Sequence, residues 1–116
     1  MKKFLLAIAV VLCSMPAQAA EWYEGGTMHQ ASVQQFLQAD YTNGLATVAD
    51  WVGATVGDAH ISQLNMAEYK QASNEVLVCV AQATQGVEEW QNQQAGLVAL
   101  MCMQQLQQKY PWMLTK

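Results

Sequence analysis

Arginine is missing from the chain altogether, histidine occurs only twice, and no apolar run is long enough to cross a bilayer. Each absence closes off a class of function. Nucleic acid and anionic membrane surfaces call for clustered Lys and Arg. Here Lys2 and Lys3 belong to a leader described below, so only Lys70, Lys109 and Lys116 face the nine carboxylates of the remaining chain, a net charge of about −6. That balance suits solubility first, and a basic protein partner second. The two histidines, His29 and His60, lie far apart and lack the i, i+4 or cysteine-pair spacing of a zinc site. Both read as surface residues, and no metal or cofactor is expected.

Reaction chemistry is equally sparse. Ser32, Ser62 and Ser73 have no nucleophile-elbow context. Asp50 and the Glu88-Glu89 pair are isolated carboxylates with nothing to mark them as an acid and base couple. A Cys-His nucleophile would need a free thiolate of low pKa, and the cysteines have another use. A strand pattern is also lacking: the β-prone residues 76–80 sit inside a longer run with helical end signals. The chain reads as a non-enzymatic, all-α protein.

What is present begins with a leader. Residues 1–19 carry two lysines, the apolar run 4–12, Pro16 and the small-x-small end Ala17-Gln18-Ala19. These are the parts of a secretory signal peptide. Cleavage after Ala19 would discard Cys13, which the bulky Leu12 makes a poor lipoprotein site, and would leave residues 20–116 as one soluble domain in the periplasm or outside the cell. Two cysteines remain, an even number in an oxidising compartment.

Those two, Cys79 and Cys102, sit in the middle of two helical segments spanning 66–109. The first has Met66, Tyr69, Ser73, Val76, Leu77, Val80 and Thr84 on one face, Asn65 and Glu68 as a capping box ahead of it, and Gly86 as a left-handed stop. The second places Trp90, Gln94, Leu97, Val98, Met101 and Cys102 on one side and ends at Pro111. Folding the arms about a turn near Glu89 and Trp90 brings the cysteines level. A bridge needs Cα atoms within about 7 Å, closer than the usual 8–10 Å between helix axes, and Ala83, Ala95 and Ala99 supply small neighbours. Such a staple would stabilise the fold by roughly 3 kcal/mol. The other reading is two free buried thiols acting as small hydrophobes.

Ahead of this hairpin, Thr27 with Gln30 and Ser32 with Gln35 each have capping-box spacing, so a helix starts at one of them. Its stripe runs through Val33, Phe36, Leu37, Asp40, Tyr41, Leu45, Val48, Ala49 and Val52, crossed by the turn signal Asn43-Gly44, and ends at Gly53 and Gly57. That pattern fits one kinked helix or two short ones. Residues 58–64 form a connector with room for one helical turn. The expected architecture is a small helical bundle with a disulfide-stapled C-terminal α-hairpin.

Three segments offer surfaces. Trp22 and Tyr23, followed by Gly25-Gly26, read as an extended strap over an open face of the core, or as an aromatic edge for a partner. The short apolar tail with Trp112 and Met113 either docks on the bundle or meets another chain. Among the methionines, Met66 and Met101 fall on the inner stripes, so an adaptable groove would use Met103 and Met113 with Trp112. Gln104, Gln105, Gln107 and Gln108 read as a polar helical face.

The opening Glu21-Trp22-Tyr23-Glu24-Gly25-Gly26-Thr27-Met28-His29, then Asn43-Gly44-Leu45-Ala46-Thr47 with Ala49-Asp50-Trp51, and the two helix-centre cysteines resemble a group of uncharacterised small secreted proteobacterial proteins. The resemblance covers nearly the whole mature chain and implies a periplasmic helical domain with a Cys79–Cys102 bridge. At a looser level, residues 44–50 and 100–111 resemble the periplasmic immunity proteins of type VI secretion systems, with Trp112 where that family often has cysteine after proline. Small size, helices and one disulfide are similar to the Hde-type acid-stress chaperones, whose cysteines lie farther apart in sequence. The first likeness implies no activity; the expectation is a protein-binding role, an inhibitor or immunity-type protein that occludes a secreted or periplasmic enzyme through Trp22, Tyr23, Trp112 and Met113, with an acid-stress chaperone as the alternative and an enzyme or small-ligand binder as the third reading.

Overall fold

The computed structural model describes residues 21–113, so the leader, Cys13 and Leu114 lie outside the described residues. Five α-helices follow in order: α1 (Val33–Gln38), α2 (Tyr41–Val56), α3 (Asp58–Ile61), α4 (Met66–Thr84) and α5 (Ala95–Leu106), with one 3₁₀ turn, Glu88–Trp90, between the last two. No strand forms among the described residues beyond an isolated antiparallel bridge between Ser32 and Gln94. Helices α2, α4 and α5 pack pairwise around the core, to which they give Val48, Ala49 and Val52, then Ala72, Val76 and Val80, then Val98, Ala99 and Cys102.

Of the two capping boxes offered ahead of the hairpin, Ser32 with Gln35 forms. The Ser32 hydroxyl accepts the Gln35 backbone N–H, and the Gln35 side chain accepts that of Ser32. Asn65 caps α4 by accepting Ala67 N–H at 2.7 Å, and the Glu68 carboxylate, which a capping box would turn back onto Asn65, instead accepts Trp112 Nε1–H. Gly57 and Gly86 take positive φ, 102° and 78°, where α2 and α4 end. Asn43-Gly44 does not break the helix; the break lies just before, at Ala39 and Asp40. Gly44 permits a close crossing of α4 over α2: a Cβ there would stand 3.2 Å from the end of the Leu77 side chain, which would have to shift by a few tenths of an ångström.

The Cys79–Cys102 disulfide is formed, with Cα atoms 5.9 Å apart. The second arm differs from expectation. It begins at Ala95, since residues 91–94 pair with the start of α1: Val33 N–H donates to Gln93 O, Gln34 N–H to Gln91 O, and Ala95 N–H to Ala31 O. Its phase also differs. Ala95, Val98, Ala99, Cys102 and Met103 face inward, whereas Leu97, Leu100 and Met101 are exposed, as is Met66 on α4. Helices drawn this close by the bridge put small residues at their contact and the larger ones outside.

The tail docks on the bundle. Met113 is wholly buried, which corrects the reading of Met113 as a partner contact and of Met103 with Met113 as a groove: both fill the core. Lys109 Nζ lies 3.0 Å from both Glu75 oxygens, the Tyr110 hydroxyl donates to Glu75 Oε2, and Trp112 Nε1–H donates to Glu68 Oε2 at 2.8 Å. Burial works to raise the Glu75 pKa, but the hydrogen bonds from Tyr110 and Lys109, together with the lysine charge, leave it below the ordinary value. Burial first and Glu75 second push Tyr110 up to about 12, keeping it a donor.

A lowered folded pKa stabilises the fold above the unfolded carboxylate range, and that contribution fades as pH falls through the folded value. Glu75→Gln is therefore expected to cost about 1 kcal/mol at neutral pH. The gap to the parent chain should close in acid, as read from urea midpoints at a series of pH values. A gap independent of pH would show that the Glu75 charge does not hold the tail.

Candidate binding cleft

The strap before α1 lies along α2 and is fastened by side chains. Thr27 N–H donates to Asn43 Oδ1 and Asn43 Nδ2 donates back to Thr27 Oγ1, both at 2.8 Å; Met28 N–H donates to Thr47 Oγ1 at 3.2 Å. Gly26 allows the approach, since a Cβ on it would lie 2.6 Å from the Thr47 nitrogen. One turn further along, His29 Nε2 meets Asp50 Oδ2 at 2.7 Å. These fastenings set Trp22 edge-on to Tyr69, with centroids 5.1 Å apart, and edge-on to Tyr23 at 5.4 Å. The strap reading therefore holds for both aromatics, which are half-buried against the core.

Tyr23 forms one wall of an open cleft of about 690 Å³ between the strap, α2, α3 and the first turn of α4. Ala49 and Gly53 lie along its α2 side, with Ile61, Leu64, Met66 and Tyr69 opposite and Asp50 and Asp58 as its carboxylates. The Tyr69 side chain is buried and donates to Ala49 O at 2.6 Å. Burial first, and then the negative charges of Asp50 and Asp58, push its pKa up to about 12. The cleft thus combines aromatic and aliphatic walls with the field of two carboxylates. Chemically it suits a cation carried on an apolar stem.

Of the residues singled out in the sequence for partner binding, Tyr23 lines this cleft, and Trp22 packs behind it, edge-on to Tyr23 and Tyr69. Trp112 does not: it stacks beside Tyr110 at 5.6 Å and bonds Glu68. Sequence reasoning passed over Asp50, Asp58 and Tyr69 as members of one site. A signal existed, for Asp50, Ala54, Asp58 and Ile61 follow one another at intervals of four, four and three, and all but the helix break at Gly57 is ordinary helical spacing. A smaller apolar cavity of about 220 Å³ lies between Phe36, Tyr41 and Leu77.

Comparison with protein-family models, with curated proteins and with solved structures gives no match to this chain.

Proposed function

We propose that this protein is a non-enzymatic binding module of the periplasm or extracellular space, of the inhibitor or immunity type. In this reading it grips a protein partner by taking one of the partner's basic side chains into the cleft beside Tyr23. The observation that carries the reading is the pairing of Asp50 and Asp58 with the apolar walls of Tyr23, Leu64, Met66 and Tyr69. An arginine or lysine stem lies against such walls while its head meets Asp58 and the Asp50 oxygen that His29 does not take, and an acidic chain without arginine brings no guanidinium of its own to compete. The disulfide fits an oxidising compartment, and no helix among the described residues is long and apolar enough to cross a membrane.

The test is capture from periplasmic extract by the tagged protein at neutral pH, alongside the Asp50→Asn/Asp58→Asn variant. One dominant basic partner is expected, bound about 30-fold more weakly by the variant, which corresponds to about 2 kcal/mol. Equal capture by both proteins would refute the cleft as the site. A second reading, an acid-stress chaperone, is favoured by one observation: the tail that covers the core with Met113 is tied to α4 through Glu68 and Glu75, bonds that protonation weakens. The same capture run near pH 3 separates the two, since a chaperone would gain many partners only there.

A further inference from the structure

We infer that the outer face of the α4–α5 hairpin docks a second copy of this chain, packing α5 against α5 about a two-fold axis. The face is defined by the disulfide. In an antiparallel helix pair joined at Cys79 and Cys102, the residues just before each cysteine fall on one side of the seam and the residues just after fall on the other. Val80 and Met103, which follow, are buried in the core; Val78 and Met101, which precede, are each 40% exposed. Leu97 at 52% and Leu100 at 38% continue the exposed stripe along α5. These four are most of the large apolar side chains left exposed among the described residues.

Charge decides the occupant. Residues 91–108 contain no charged side chain, in a chain whose mature part carries about −6. A basic partner would be met by free carboxylates, as at the cleft; the α5 stripe offers none, and the one carboxylate beside Val78, Glu75, is already paired with Lys109. A second copy carries the same net charge, so the face on which two copies can meet without repulsion is one free of charge. The polar residues bordering the stripe are glutamines, whose amide both donates and accepts and so can pair with its own kind across a two-fold axis.

The spacing suits such an axis. Antiparallel pairing centred between Leu100 and Met101 sets each of these against the other's counterpart, and sets Leu97 against Gln104 of the second copy. An apolar centre is then closed at both ends by an amide. None of the residues lining the cleft beside Tyr23 belongs to α5, so the pair would keep two clefts and bind a repetitive partner bivalently.

One helix face buries less than the roughly 800 Å² per partner of a standard interface, so the dimer is expected to be of micromolar strength. Sedimentation equilibrium of the mature protein at neutral pH, from about 5 to 500 μM, is the measurement. A reversible dimer that high salt does not weaken is expected. Leu97→Glu should raise its Kd about 30-fold or more by burying a charge opposite the neutral amide of Gln104 in the second copy, and Leu97→Gln should do so less; both variants should keep the parent's helical circular dichroism, since Leu97 is a surface residue. A monomer throughout the range, a dimer indifferent to Leu97→Glu, or one that salt dissociates would overturn the proposal.

Discussion

Reducing the Cys79–Cys102 bridge is expected to lower the stability of the fold by about 3 kcal/mol, through the chain entropy returned to an unfolded state no longer closed over 23 residues. In a domain of this size that is a large share of the total. The native state also loses: the bridge holds α4 and α5 with Cα atoms 5.9 Å apart at its site, closer than helices usually pack. Once the helices relax outward, Ala95 and Ala99 are too small to fill the gap. Urea titrations with and without reductant read the effect directly, and the Cys79→Ala/Cys102→Ala variant should reproduce it without reductant. An unchanged midpoint would show that packing alone sets the spacing of the hairpin.

Gly26→Ala is expected to cost about 2–3 kcal/mol, although the residue lies outside every helix. Its Cβ would stand 2.6 Å from the Thr47 nitrogen and 2.8 Å from the Thr47 Cα. Those are backbone atoms in the middle of α2, at a residue with no exposed surface, so the helix cannot yield and the strap must. Displacing the strap breaks the bonds from Thr27 and Met28 to Asn43 and Thr47 and carries Tyr23 away from the cleft. The variant should therefore lose both stability and partner capture. Gly25→Ala is the control: its φ of +88° is unfavourable for alanine, but nothing lies within 4 Å, so the cost should stay near 1 kcal/mol. Equal losses at the two positions would mean that the close approach at Thr47 does not matter.

Much of the fold was legible in the sequence where a local chemical signal existed. Ser32 with Gln35, Asn65, Gly57 and Gly86 marked helix ends that side-chain and backbone chemistry decide within a few residues. The cysteine spacing marked the hairpin. The phase of α5 was harder, because Leu97, Val98, Leu100, Met101 and Met103 surround the first turns of the helix with apolar residues and the glutamines that mark its polar side begin only at Gln104. The disulfide held the missing information: with Cys102 inward, Ala95, Val98 and Ala99 follow at intervals of seven, four and three. At Asn43-Gly44 a turn signal was overridden by tertiary structure, since Asn43 serves Thr27 and Gly44 makes room for Leu77. The cleft was half legible. Tyr23 could be named from its setting, whereas its union with Asp58 and Tyr69 depends on how α3 turns after Gly57.

The three backbone bonds that join residues 31–34 to 91–95 close the longest loop of the fold and are expected to form late. The hairpin arms lie near each other along the chain and can meet quickly, whereas the start of α1 must find a partner about sixty residues away, across a loop whose closure is entropically slow. The capping box at Ser32 can organise α1 by itself, but six residues of helix do not persist alone in water. The amino-terminal strap is fastened to α2 through Asn43 and Thr47, so its aromatics settle onto Tyr69 once α2 and α4 have met. Tyr23 and its cleft thus depend on the meeting of α2 with α4 and are independent of the closure that brings residues 91–95 to the start of α1.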